Sequence, residues 1–193
     1  MSQDETMSHV CWLGGSPCSG KTTVSDRLAQ RYGCRVYHCD EAFETHKADM
    51  PAMQPILAMS WDAIWMRRRD ELLRSELAIY RQEFPMIAAD LRALPRDRPI
   101  IAEGTALLPE LVAQVADLRR ALWLVPSPAF QRERYPLRGE WVQAVLSQCS
   151  DPAQAFENWM ARDIAYAQEA AAQAARLGAR VIVVDGSQSL DQV

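Results

Sequence analysis

The sequence predicts an α/β fold, a three-layer sandwich with a five-stranded parallel sheet covered by helices on both faces. Three observations predict it. Short runs that are apolar throughout alternate with longer stretches of helical spacing, the pattern of strands buried on both sides and joined by crossover helices. The first apolar run ends in a glycine-rich stretch that opens directly into a helix. The 193 residues are 49% hydrophobic and 24% charged, enough for one domain with a sizeable core.

Val10 to Leu13 is the first strand, closed by two glycines. Lys21 to Tyr32 carries Val24, Leu28, Ala29 and Tyr32 at helical spacing and stops at Gly33, a C-terminal cap. Cys34 to Cys39 is the second strand and ends at Asp40. No strand pattern follows in 41–97, where 61–82 and 86–94 read as helices. Pro99 to Ala102 is the third strand, followed by a helix over Pro109 to Leu118 and a fourth strand over Arg120 to Val125. Ser127-Pro128 opens a helix with a capping serine and a first-turn proline. A helix over 139–148 follows. Asp151-Pro152 then starts a long alanine-rich helix that ends near Gly178. Ala179 to Val184 is the fifth strand, and a short last helix comes after Asp185-Gly186-Ser187.

Composition excludes several classes. The net charge is −4 and no basic tract is longer than Arg67-Arg68-Arg69, which argues against nucleic acid as the main partner. Five cysteines without CxxC spacing suit neither a disulfide framework nor a zinc site. No apolar run reaches the ~18 residues of a membrane span. The first residues, Met1 to Thr6, are polar and acidic, unlike a signal peptide. The expectation is a cytoplasmic domain, monomeric or homodimeric, with no membrane contact.

Gly15-Ser16-Pro17-Cys18-Ser19-Gly20-Lys21-Thr22 matches GxxxxGK[ST], the Walker A pattern, between a strand and a helix. Glycines admit backbone angles that turn successive N–H groups inward, at the positive end of the following helix. Lys21 brings a mobile charge to the β- and γ-phosphates of a nucleoside triphosphate. Thr22 offers its hydroxyl to Mg²⁺, and Thr23 continues the cradle. In parallel sheets ligands sit at the carboxyl ends of the strands. Asp40, Glu103-Gly104-Thr105 and Asp185-Gly186 all fall there, beside the loop.

The guanine-reading Asn-Lys-x-Asp motif is absent: the one asparagine, Asn158, precedes Trp159. Asp-x-x-Gly and Leu-Ser-Gly-Gly-Gln are absent too. What remains resembles the small P-loop kinases of the shikimate, gluconate and chloramphenicol phosphotransferase-like group and, more distantly, nucleoside monophosphate kinases. The resemblance rests on Gly15–Thr22 and Asp40, with looser matches at Glu103-Gly104 and the arginine segment 132–138. It implies a P-loop NTPase sheet of order 2-3-1-4-5, ATP and Mg²⁺ as cofactors, and transfer of the γ-phosphate to a hydroxyl of a small molecule. Lys21 would bind phosphate, and Gly186 would lie by the adenine. Asp40 takes the place of the acid that meets the acceptor hydroxyl; base, magnesium-shell acid and helix cap all remain open for it. Glu103 stands where many relatives carry aspartate, as a metal or substrate contact beside Gly104 and Thr105. Arg132, Arg134 and Arg138 lie where relatives carry a lid, here 128–140, and Arg162 is a further phosphate candidate.

About sixty residues separate Asp40 from Ile100, far beyond a plain crossover of roughly a dozen. The excess, 41–97, reads as a helical acceptor-binding insertion in a single domain spanning 1–193. Trp61 and Trp65 share a helical face, and Arg68 follows one turn on. They either touch the acceptor or fill core and solvated surface. Two rival functions stay in play: a nucleotide or polynucleotide 5′-kinase, and a non-catalytic nucleotide-binding regulatory module.

Overall fold

A computed structural model describes residues 7–187. The short helix expected after Ser187 lies outside the described residues. The strands are β1 (Val10–Gly15), β2 (Arg35–His38), β3 (Ile100–Gly104), β4 (Ala121–Pro126) and β5 (Arg180–Val184), all parallel, in the order β2-β3-β1-β4-β5. This is the strand order 2-3-1-4-5 expected from the sequence. β1 lies in the middle, so the loop that leaves it has the end of β3 on one side and the end of β4 on the other.

Alternation along β1 explains the layers. Trp12 points into the larger core with Ala102, Trp123, Phe84, Ile87 and Leu91. Leu13 points the other way, to Ile101, Leu124 and Val24. Helix α1 (Lys21–Tyr32) covers this second face. α2 (Cys39–His46) follows β2 without a loop, and short α3 (Gln54–Leu57) and α4 (Trp61–Trp65) come next. α5 (Arg69–Ala93), α6 (Pro109–Val112) and α9 (Pro152–Arg176) build the first face. α7 (Pro128–Arg134) and α8 (Glu140–Leu146) lie between β4 and α9 in sequence. A separate cluster joins Ile64 and Trp65 of α4 to Tyr135, Val142, Trp159 and Met160.

The insertion departs from its periodicity in two places. The helix expected over 61–82 is broken at 66–68. Ser60 caps α4, accepting from the Ala63 N–H at 3.1 Å, and Arg67 Nε donates to the Ile64 carbonyl at 3.1 Å, taking up an orphan group at the helix end. Asp70 and Glu71 then favour a new helix start. The second departure is at Pro85. A proline removes one helical hydrogen bond, yet α5 runs through it, because Phe84, Ile87, Ala88 and Leu91 are all buried around it. Tertiary burial outweighs the local cost. The helix expected over Pro109–Leu118 is one turn, Pro109–Val112, followed by an Asp117-capped 3₁₀ turn at Leu118–Arg120.

Gly14 shows how tightly β1 is held. A Cβ there would lie 2.3 Å from Trp123 Nε1, and that indole N–H already donates to the buried Leu107 carbonyl at 2.8 Å. Gly14→Ala is expected to destabilise the fold by roughly 1–3 kcal/mol through overpacking. Urea denaturation would check this; an unchanged midpoint would show that the indole yields freely.

Candidate active site

The loop leaving β1 takes the strained shape its glycines permit. Gly15, Cys18 and Gly20 have φ of 131°, 67° and 84°. At Gly15 a side chain is also excluded by space, since its Cβ would fall 1.9 Å from the Leu124 carbonyl oxygen. Cys18 adopts a left-handed angle that few non-glycine residues take, so strain is stored in this loop. The loop is also clamped from outside. Gln131 of α7, fully buried, donates from Nε2 to Ser16 Oγ at 2.8 Å and to the Pro17 carbonyl at 3.0 Å. Ser16 Oγ in turn donates to the Asp163 carbonyl at 3.2 Å. Lys21 is buried and donates to the Ser16 carbonyl at 3.0 Å. Burial holds its pKa below the ordinary ammonium value, while the carboxylates of Asp40 and Glu103 push back. Thr23 is exposed in the first turn of α1.

Register brings Glu103 to the loop. β1 pairs with β3 as Leu13↔Glu103 and Gly14↔Gly104, so Glu103 reaches the start of α1. Its Oε1 accepts from Thr22 Oγ1 at 3.1 Å and lies 2.8 Å from His38 Nδ1. His38, at the end of β2, is a participant that no motif in the sequence marks. Burial lowers its pKa, but the hydrogen bond and charge of Glu103 outweigh this and leave it raised. The next two residues of β3's end shape the site differently. A Cβ on Gly104 would lie 2.5 Å from Cys39 Cβ, so Gly104 is used for close packing against α2. Thr105 is buried, and its carbonyl accepts from the Tyr166 hydroxyl.

Asp40 lies in the first turn of α2, exposed, rather than in a loop beyond a strand. It lines a cavity of about 290 Å³ together with Phe43, Trp61, Trp65, Glu76, Glu83 and Arg162. The tryptophans divide their work. Trp61 is 41% exposed at the cavity, whereas Trp65 is buried, stacked on Trp159 at 4.0 Å with the Arg162 guanidinium 4.8 Å from its ring centre. Arg68 is a correction: it points to solvent beside Asp70, and Arg67 is the arginine on the cavity wall. Its place before the first turn of α5, after the break in the helix, turns it away.

The arginines of 128–140 separate likewise. Arg132 is paired with Glu157 at 2.9 Å, and Arg134 lies over the Phe130 ring at 5.1 Å. Arg138 stacks on Tyr135 and Trp141, and its charge is felt at both Cys18 and Lys21. Arg138 is therefore the one of the three whose field reaches the loop. Arg162 meets carboxylates instead of phosphate space, with Nη2 2.6 Å from Asp163 Oδ1 and Nε 3.4 Å from Glu76 Oε2. A Cβ on Gly186 would lie 3.0 Å from the Phe130 ring, and its φ is 87°. Gln131 is the residue with no sequence signal: a glutamine in a helix looks solvated until the fold presses it against the loop.

The donor set suits a magnesium–triphosphate. A loop with left-handed residues at Cys18 and Gly20, a buried ammonium and a threonine hydroxyl bonded to an acid would fit such a group.

No family model and no curated protein matches the chain. Solved structures with a similar fold include shikimate kinase from Acinetobacter baumannii in complex with shikimate, at 16% identity over 100% of this chain and 91% of that one, with a TM-score of 0.49. Shikimate kinase from Aquifex aeolicus is 19% identical over 95% and 90%, with a TM-score of 0.44. The YorR protein of Bacillus subtilis, solved with phosphorylated GDP, is 13% identical over 95% and 90%, also at 0.44.

Glu83 yields a pH prediction. Burial, aided by the Asp40 carboxylate, raises its pKa from 4.5 to about 8. A carboxyl raised on folding contributes stability that is complete below the unfolded value and is lost as pH climbs through the folded one. Melting temperature is expected to fall between pH 4.5 and 8 in the wild type. Glu83→Gln, which cannot ionise, should flatten that fall. Thermal melts of both proteins across the range would decide it, an identical slope counting against a desolvated carboxyl.

Proposed function

We propose that the chain is an ATP-dependent phosphotransferase that moves the γ-phosphate to a hydroxyl group of a small molecule. One observation carries the reading: Asp40 belongs to both halves of the site. It lines the cavity on one side, and on the other its charge acts on Lys21 of the phosphate loop. A hydroxyl in that cavity would lie between a carboxylate and the phosphates.

In this reading the backbone N–H groups of Gly15–Thr23 and the Lys21 ammonium hold the triphosphate, with the adenine near Asp185–Ser187. Thr22, with Glu103 behind it, would hold Mg²⁺, which when bound neutralises charge on the β- and γ-oxygens. The acceptor oxygen attacks the γ-phosphorus. The bond to the β–γ bridging oxygen breaks, and ADP leaves with that electron pair. The acceptor proton passes to Asp40 late in the reaction and from there to water. Phosphoryl transfer needs chiefly placement and charge stabilisation, so Arg138 contributes by sitting near the transferring group, while Arg132 and Arg134 hold the 128–140 segment in place. The clamp of Gln131 on Ser16 and Pro17 keeps the loop's donors aimed before substrate arrives. A cytoplasmic location, a single domain with 41–97 as acceptor-binding insertion, and closure of 128–140 as a lid belong to the same proposal. Among the described residues, no helix is long and apolar enough to cross a membrane.

Two substitutions test it. Lys21→Ala should abolish binding of an ATP analogue, measured by calorimetry. Asp40→Asn should bind the analogue as before but transfer phosphate to its acceptor about 10²–10⁴-fold more slowly. Transfer at the wild-type rate by Asp40→Asn would remove Asp40 as the base. ATP binding without transfer to any hydroxyl would favour a regulatory module.

A further inference from the structure

The acceptor cavity has a charge imbalance. Glu83 is 1% exposed, it lines the cavity, and its Oε1 has no hydrogen-bond partner. The Nδ1 of His46 lies 3.5 Å from that oxygen. His46 is shared, since its Nε2 is 3.1 Å from Asp90 Oδ2. Further along the wall, Glu76 is buried, and its Oε2 also lacks a hydrogen-bond partner. Its cation, Arg162, is held more closely by Asp163 than by Glu76. Arg67 donates to the Ile64 carbonyl and to Ser75 Oγ rather than to an acid. Asp40, Glu76 and Glu83 thus line the cavity with Arg67 and Arg162, and behind the wall Asp163 draws on Arg162 and Asp90 on His46. Lys21 acts on Asp40 first, then on Glu103 and, in the reading above, on phosphate, so Glu83 is the wall acid left without a close cation.

The cavity is otherwise apolar, and Phe43 and Trp61 supply ring surface to it. A buried carboxylate is costly unless a cation meets it, and aromatic faces attract cations in desolvated sites. An anionic acceptor would oppose ionisation of Glu83 and Glu76 and would find Arg162 already held by Asp163, leaving Arg67 alone to answer it.

The geometry points to an amino alcohol as the acceptor: an apolar or aromatic body with a protonated amine seated between Glu83 and Glu76, and a hydroxyl presented to Asp40. This rests on the phosphotransferase reading for the role of the hydroxyl, while the preference for an ammonium group stands on the wall itself. Burial raises the carboxyls of Glu83 and Glu76, to about 8 and about 7, consistent with acids that lack a cation in the unliganded protein. An arriving ammonium would restore their ionised form.

Three matched probes test it: phenylalaninol, its N-acetyl derivative and 3-phenyllactate. They share an aromatic body and a hydroxyl but are cationic, neutral and anionic. Binding to the full chain is measured by calorimetry with a non-hydrolysable ATP analogue present. Phenylalaninol is expected to bind about tenfold or more tighter than the neutral probe, and phenyllactate weakest. Glu83→Gln should bring the cationic and neutral probes within about threefold of each other. Equal or tighter binding of the neutral or anionic probe, binding of none of the three, or an amine preference untouched by both Glu83→Gln and Glu76→Gln overturns the inference. Phosphate transfer is assayed separately with the same probes. Amine-selective binding without transfer leaves this inference standing and sinks the kinase reading. Transfer without amine selectivity does the reverse.

Discussion

The contact between Thr22 and Glu103 is the joint on which the site depends. It links the first turn of α1 to the end of β3, elements more than eighty residues apart in the chain, through one hydrogen bond of 3.1 Å. It exists because β1 and β3 are adjacent and in parallel register, with Leu13 beside Glu103. A slip of one residue would turn Glu103 to the opposite face of the sheet. The same acid also receives His38 from β2, so one carboxylate gathers the ends of two strands and the beginning of a helix. Burial makes the arrangement exacting, since a nearly dry carboxylate without donors would be costly.

Around that joint the loop is stiffened from two sides. Leu124 of β4 fills the space a side chain on Gly15 would need, and Gln131 of α7 holds Ser16 and Pro17. Both come from the part of the chain that continues into 128–140. Movement of that segment would therefore be transmitted to the loop by hydrogen bonds and packing. The cluster of Trp65, Trp159 and Tyr135 ties the insertion to the same body. The phosphate loop, the acceptor wall and the arginine segment share contacts instead of standing as separate attachments.

Burial and charge are distributed unevenly across the site. At the glycine-rich loop positive groups converge: the buried Lys21 and the field of Arg138. On the acceptor side carboxylates outnumber cations, and two of them are raised by desolvation. Asp40 lies on the line between these regions. Under the proposed reading, that gradient would hold a polyanion at one end and favour departure of a proton at the other.

Much of this was legible in the residues alone, for physical reasons. Five strands announced themselves because strands buried on both faces must be apolar throughout, and the loop did so because an anion nest requires glycine at particular places. Asp40 and Glu103 could be placed beside the loop because the carboxyl ends of parallel strands share one edge. The insertion was far less legible. Helical periodicity continues across Met66–Arg68, so the break that turns Arg68 to solvent and Arg67 to the cavity depends on which carbonyl Arg67 reaches. Pro85 reads as a stop, yet α5 passes through it on the strength of its buried neighbours. Pairings among Arg162, Asp163 and Glu76, like those of His38 with Glu103 and Gln131 with Ser16, were decided by the tertiary structure. A side chain's neighbours across the fold are set by register and packing, which local spacing does not encode. The sequence by itself determined the sheet, its phosphate loop and the edge where chemistry gathers. Only the folded molecule decided which charges in that edge are matched and which are left facing the cavity.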